Sequence, residues 1–142
     1  MSEILYKAKR MDNGELVYGL PSYNCVDGRI TEIETRDCGF IEVDPETICR
    51  YTGVPDKNET KIFEGDICRR EMLGGTIIIG QVVWIEYGAC GFKLKYGNDY
   101  YPIGKFENTG RNGDEVIGNI FDNPELLEKR GARMKYSIEI KK

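Results

Sequence analysis

Cys68 is the one sulfur with an obvious activating neighbourhood, because Arg69 and Arg70 follow it directly. Adjacent cations favour the thiolate, the nucleophilic form of cysteine. A nucleophile of this kind also needs a base, and the chain contains no histidine. That removes the usual general base near neutral pH, the commonest zinc ligand and the usual partner of Ser and Cys nucleophiles. Cys68 is therefore read as a small residue within a strand.

The carboxylates offer two further chemistries. Asp56 followed by Glu59-Thr60-Lys61 has the residue types of a metal-dependent nuclease core. Such a core needs the first Asp and the Glu-x-Lys on neighbouring strands, and a turn with two intervening residues cannot supply that. Glu139-Ile140-Lys141 is better separated but is a generic pattern. Read as a calcium loop from Asp56, the segment has Lys61 where Gly is required and Ile67 where an acid is required. Gly74-Gly75 and Gly88-Ala89-Cys90-Gly91 precede neither a Lys-Ser/Thr pair nor a helix, so they are turns and not phosphate loops. No catalytic residue, metal ligand or cofactor site is assigned, no small-molecule substrate is evident, and the expectation is a non-enzymatic protein.

Surface recognition is what remains. Trp84, Tyr87, Phe92, Tyr96, Tyr100 and Tyr101 cluster in one stretch, with Trp84 and Phe92 expected in the core. Tyr100 and Tyr101 face opposite sides of their strand, so one of them is exposed, and Lys93 and Lys95 lie on the wet face of the strand before it. Lys93, Lys95, Tyr100 and Tyr101 are the candidate binding residues, suited to gripping a peptide or stacking bases.

The elements that must position them are mainly strands. Ile4 to Arg10 and Glu15 to Leu20 flank Asp12-Asn13-Gly14, a strong hairpin signal. Pro21-Ser22-Tyr23-Asn24 is expected to break the pattern. Arg29 to Glu34 and Gly39 to Val43 form a second, polar pair of strands, and Asp44-Pro45-Glu46-Thr47 predicts a single helical turn with Pro first. Val54-Pro55-Asp56-Lys57-Asn58 reads as a type I turn in which Asp and Asn can bond their own backbone or enter the left-handed region, and Glu64-Gly65-Asp66 as a second tight bend.

Thr76 to Tyr87 is apolar on both alternating faces, as in a central strand, with Gly80 placed for a bulge or bend. Phe92, Leu94 and Tyr96 alternate with Lys93 and Lys95. Gly97-Asn98 then turns the chain into 99–103, where Pro102 argues for an edge. Asn108 to Asp114 is a polar loop, and Glu115 to Phe121 a closing strand. One short helix is predicted over 123–129, with Asn123 as cap and Pro124 first, and 134–140 as a further strand.

The 142 residues, 40% hydrophobic and 31% charged, are those of a globular protein that buries roughly two thirds of its unfolded surface. The N-terminus lacks an apolar leader core, and the longest apolar runs are 77–79 and 82–85, so neither export nor membrane spanning is expected. Five cysteines, odd in number, fit reduced thiols in a cytoplasm better than a disulfide framework. Charge is uneven. Residues 129 to 142 hold six basic side chains against Glu139, whereas 27 to 46 hold seven acidic ones against Arg29 and Arg36. Opposite fields of this kind can steer the tail onto its own body or a second subunit. Attraction of the tail to nucleic acid is the alternative, against which the pI near 5.0 counts.

Six ordered blocks carry a resemblance: 41–48 (Ile-Glu-Val-Asp-Pro-Glu-Thr-Ile), Tyr51-Thr-Gly53, Asp56-Lys-Asn58, 62–67 (Ile-Phe-Glu-Gly-Asp-Ile), Tyr100-Tyr-Pro-Ile103 and 116–126, which begins Val-Ile-Gly-Asn. Together they resemble the YopX family of phage and prophage proteins over about residues 3 to 128, leaving the basic tail outside. The resemblance implies a phage or prophage origin, residence in the bacterial cytoplasm, a C-terminal part similar to SH3-like barrels, and no assigned activity.

The expected architecture is thus mainly β: an N-terminal hairpin region (1–50), an SH3-like barrel region (51–128) and a basic tail (129–142). The expected role is that of an accessory protein that binds a protein partner. Its rivals are a nucleic-acid binder using the tail and a self-assembling homo-oligomer.

Overall fold

The computed structural model describes residues 4–23, 26–72, 74–86, 88, 90–103 and 114–127. The chain is mainly β, with two antiparallel sheets and one short helix, and it divides into two compact units, Met1–Gly53 and Val54–Lys142.

In the first unit, β1 (Tyr6–Lys9) and β2 (Leu16–Tyr23) form the predicted hairpin. Its turn follows from local chemistry: Gly14 takes φ +76°, and the Asn13 side chain accepts from the Glu15 N–H. β2 does not stop at Pro21. It runs on to Tyr23 and pairs there with β3 (Ile30–Thr35), beyond Gly19, the last residue that β1 reaches. A proline is tolerated because on the β1 side this part of the strand is an edge. β4 (Gly39–Glu42) completes the polar pair with β3.

After β4 the chain folds back across β1. Arg10 bridges Val43, Met11 N–H donates to Glu42 O at 3.0 Å, and Asp44 N–H donates to Lys9 O at 2.8 Å. The predicted helical turn is a 3₁₀ turn, Pro45–Thr47, whose cap Asp44 accepts from the Glu46 N–H. Ala8, Ile33 and Val43 form the core here. β5 (Cys49–Pro55) pairs with β1 and is followed by β6 (Lys61–Phe63), giving the order β4-β3-β2-β1-β5-β6.

The second unit holds a five-stranded sheet in the order β10-β9-β8-β7-β11. Its strands are β7 (Asp66–Glu71), β8 (Ile77–Ile85), β9 (Gly91–Tyr96), β10 (Asp99–Pro102) and β11 (Glu115–Asn119). β8 is central and β10 an edge, as predicted. Gly80 is not at a bulge: it pairs in register with Cys68, and an added Cβ would lie 2.5 Å from Lys95 O. The glycine permits close approach of two backbones. The bulge sits between Val116 and Gly118 instead.

Ile62, Cys68, Ile78, Val82 and Leu94 form the core, with Tyr101, Phe92 and Val116 packed on it. Trp84, expected in the core, lies at the rim of β8 with 36% of its surface exposed and meets Phe92 edge-on at 4.9 Å. The short helix is seen at residues 125–127. The Asn123 side chain does not cap it but turns back to accept from the Asn119 N–H at 3.2 Å. The predicted strand 134–140 and most of the loop 108–114 lie outside the described residues.

Candidate functional site

The groups with the most reactive chemistry are drawn together around Cys68, and each is committed to the fold. Cys68 on β7 is fully buried. Burial pushes its thiol far above the ordinary range, and the carboxylates of Asp114, Asp66 and Asp56 add to the shift. The neighbouring arginine opposes this only weakly, because Arg70 has other partners. Its Nε and Nη2 donate to the two carboxylate oxygens of Asp114 at 2.6 and 2.9 Å, and Nη2 also donates to Pro102 O at 2.6 Å. Cys68 is thus the small strand residue that the sequence suggested: the cation beside it is neutralised inside the core, and the thiol stays protonated.

That same arginine closes the sheet. Pro102 ends β10 and Asp114 precedes β11, the two edge strands, and both bond to one guanidinium from β7. The Tyr101 ring lies 5.9 Å from the guanidinium carbon. One guanidinium thus links the chain at both edge strands of the five-stranded sheet. Asp114, read from composition as part of a polar loop, is completely enclosed.

Asp56 and Asp66 have equally structural roles. Asp56 Oδ1 accepts from the Asn58 and Thr60 N–H groups and Oδ2 from the Val116 N–H, all within 2.9 Å. The turn thus begins at Asp56, with Pro55 still in β5, and Glu59 rather than Asp or Asn takes the left-handed conformation at φ +69°. Asp66 Oδ2 accepts from the Phe63 N–H at 2.8 Å across the bend at Gly65. A carboxylate surrounded by backbone donors is well placed to organise loops and poorly placed to meet a substrate. Among the described residues, no group of three or more Cys, Asp or Glu side chains is arranged to hold a metal ion. None of the described helices is long and apolar enough to cross a membrane. Among the described residues, Cys38, Cys49, Cys68 and Cys90 form no disulfide.

The four candidate binding residues are split by the pleat. Tyr100 pairs directly with Lys95, and Pro102 with Lys93, so Lys93, Lys95 and Tyr100 share the outer face. Lys95 is exposed, its Nζ donating to Gly97 O at 3.1 Å, and Tyr100 is exposed beside it. Tyr101 points the other way and packs on the core.

Sequence reasoning missed a second surface, on the first unit. Leu20, Glu34 and Phe40 form one cross-strand row, and Ser22, Glu32 and Glu42 the next. Tyr18 lies two residues before Leu20, on the same face of β2. Tyr18, Leu20 and Phe40 are 49%, 48% and 59% exposed. The alternation of Tyr18 with Leu20 and of Glu32 with Glu34 was a signal for this face.

No curated protein matches the chain. The crystal structure of protein EF1440 from Enterococcus faecalis is similar, with a TM-score of 0.56 and 22% identity over 89% of this chain and 99% of that one. At that identity the likeness speaks for the fold alone. The model of the family described as YopX protein matches residues 6–128, and the chain belongs to the YopX family.

Proposed function

We propose that this is a non-enzymatic accessory protein of a phage or prophage that works in the bacterial cytoplasm by binding a protein partner. The observation that carries the reading is the outer row of the second sheet, where Tyr100 stands exposed and directly opposite Lys95. An exposed tyrosine is among the residue types enriched at recognition surfaces and their hot spots. The commitment of Cys68, Arg70 and the buried aspartates to the fold supports binding over catalysis. Membership of the YopX family supports the phage setting.

The test is affinity capture from infected or lysogenic cells with the tagged wild-type protein and a Tyr100→Ala/Lys95→Glu variant. A partner held by the wild type and lost by the variant is the expected result. Equal recovery by both moves the function elsewhere. Recovery that disappears on nuclease treatment replaces the protein partner with nucleic acid.

A further inference from the structure

The outer face of the first sheet carries its charge and its apolar surface in separate columns. β3 lies between β2 and β4. On this face β3 presents Glu32 and Glu34, two residues apart, while Leu20 of β2 and Phe40 of β4 stand directly on either side of Glu34. Tyr18 extends the β2 column beyond Leu20, and Glu42 of β4 stands opposite Glu32. Tyr18, Leu20 and Phe40 are exposed, as are Glu34 and Glu42.

Two features set this face apart from ordinary surface. Glu32 and Glu42 are like charges directly opposite each other, an arrangement that destabilises a sheet. Among the described residues no basic side chain pairs with Glu32, Glu34 or Glu42; the ion pair formed in this stretch joins Arg29 to Glu46, and Lys7 of β1, which shares the face, is buried opposite Tyr18. Three large apolar side chains exposed together on one face are also more than the scattered ones that any surface has.

We infer that this face docks a basic helical segment of another protein, one that carries cations along its middle and apolar side chains on both flanks. The order of groups on the sheet sets that pattern. Residues i and i+2 of a strand are about 6.5 Å apart, and residues i and i+4 of a helix about 6 Å. A helix laid along β3 therefore brings two arginines or lysines, one turn apart, onto Glu34 and Glu32. Its side positions reach Leu20 on one flank and Phe40 on the other, since neighbouring strands lie about 5 Å apart. An extended segment presents a single file of side chains to the sheet and covers one column only. Polyanions, whether nucleic acid or an anionic membrane, are repelled by the glutamates. The charge here is opposite to that of the Lys95–Tyr100 row and belongs to a different unit, so the two surfaces stand or fall separately.

The probe is a fluorescent helical peptide with two arginines one turn apart, leucines on either side of them and alanine elsewhere, titrated with the full-length protein and followed by anisotropy. Glu32→Gln/Glu34→Gln removes charge while keeping the shape of the face, and Leu20→Ser/Phe40→Ser removes the apolar flanks. Each should weaken binding by about tenfold or more. Lys95→Gln/Tyr100→Ala should leave binding unchanged, which separates this surface from the one proposed above. Oligolysine of equal charge, and a peptide of the same composition with the leucines in the middle and the arginines outside, should bind about tenfold more weakly than the probe. Oligolysine that binds as tightly as the probe reduces the face to a general acidic patch and overturns the inference. So does a probe that binds the wild type and the face variants equally, or binds neither, and so does calcium binding at the glutamates without any peptide binding.

Discussion

Two sets of three carboxylates divide the molecule. In the second unit Asp56, Asp66 and Asp114 are buried, and every one accepts hydrogen bonds from backbone N–H groups or from Arg70. In the first unit Glu32, Glu34 and Glu42 lie on an open sheet face, none paired with a cation among the described residues. Formal charge is the same in the two sets, so charge does not separate architecture from recognition. What separates them is whether the donors that a carboxylate needs are supplied by its own fold. The buried set is satisfied internally; the open set is left to solvent.

The largest effect follows from breaking the buried set. Replacing Arg70 with Met leaves Asp114 enclosed without its cation and releases Pro102 on the opposite edge strand. Removing one partner of a buried pair costs about 3–5 kcal/mol, enough to unfold a domain of ordinary stability. Urea denaturation should register that loss for Arg70→Met and for Asp114→Ala. The double replacement Arg70→Met/Asp114→Leu should cost much less than the sum of two single replacements, because it strands no charge. Additive losses would show that the two side chains act separately and that the sheet is not clasped through this pair.

Cys68 gives a second measure of how closed this core is. Its thiol keeps its proton in the folded protein long after an exposed thiol, with an ordinary pKa of 9.0, has lost it. Above that pH the unfolded chain binds fewer protons than the folded one, so stability falls as pH rises. Below it the contribution is fully present. The slope from this one group is at most about 1.4 kcal/mol per pH unit. Stability measured from about pH 8.5 to 10.5 should fall more steeply in the wild type than in Cys68→Ala. Parallel slopes would mean that the thiolate is tolerated and that Arg70 reaches it after all.

These contrasts mark how far the sequence was legible. The first hairpin was readable because Asp12-Asn13-Gly14 carries its turn within three residues, and the order of β8, β9 and β10 because Gly88 to Gly91 and Gly97-Asn98 mark the turns between them. Asp114 was misread because the residue that buries it, Arg70, lies 44 positions away. Gly80 was misread for the same reason: Lys95 O, which excludes a side chain there, belongs to another strand. The acidic stretch was visible as composition, yet the row Leu20–Glu34–Phe40 exists only once the register of three strands is fixed. A one-residue slip would send Glu34 to the core face and Ile33 outward. Local turn chemistry is written in adjacent residues, whereas both the clasp and the open face are products of pairing.

The smallest effect has the opposite sign. Replacing Glu32 with Gln removes the charge that opposes Glu42 across the strand pair and breaks no described ion pair. Cross-strand charge pairs are worth about 0.2–1 kcal/mol, so Glu32→Gln should raise stability by a few tenths of a kcal/mol at low ionic strength. In about 1 M salt, screening should erase the gain. A Glu32→Gln substitution that destabilises at both ionic strengths would show that this carboxylate is held by its own fold, like Asp56, and would erase the distinction between the two sets.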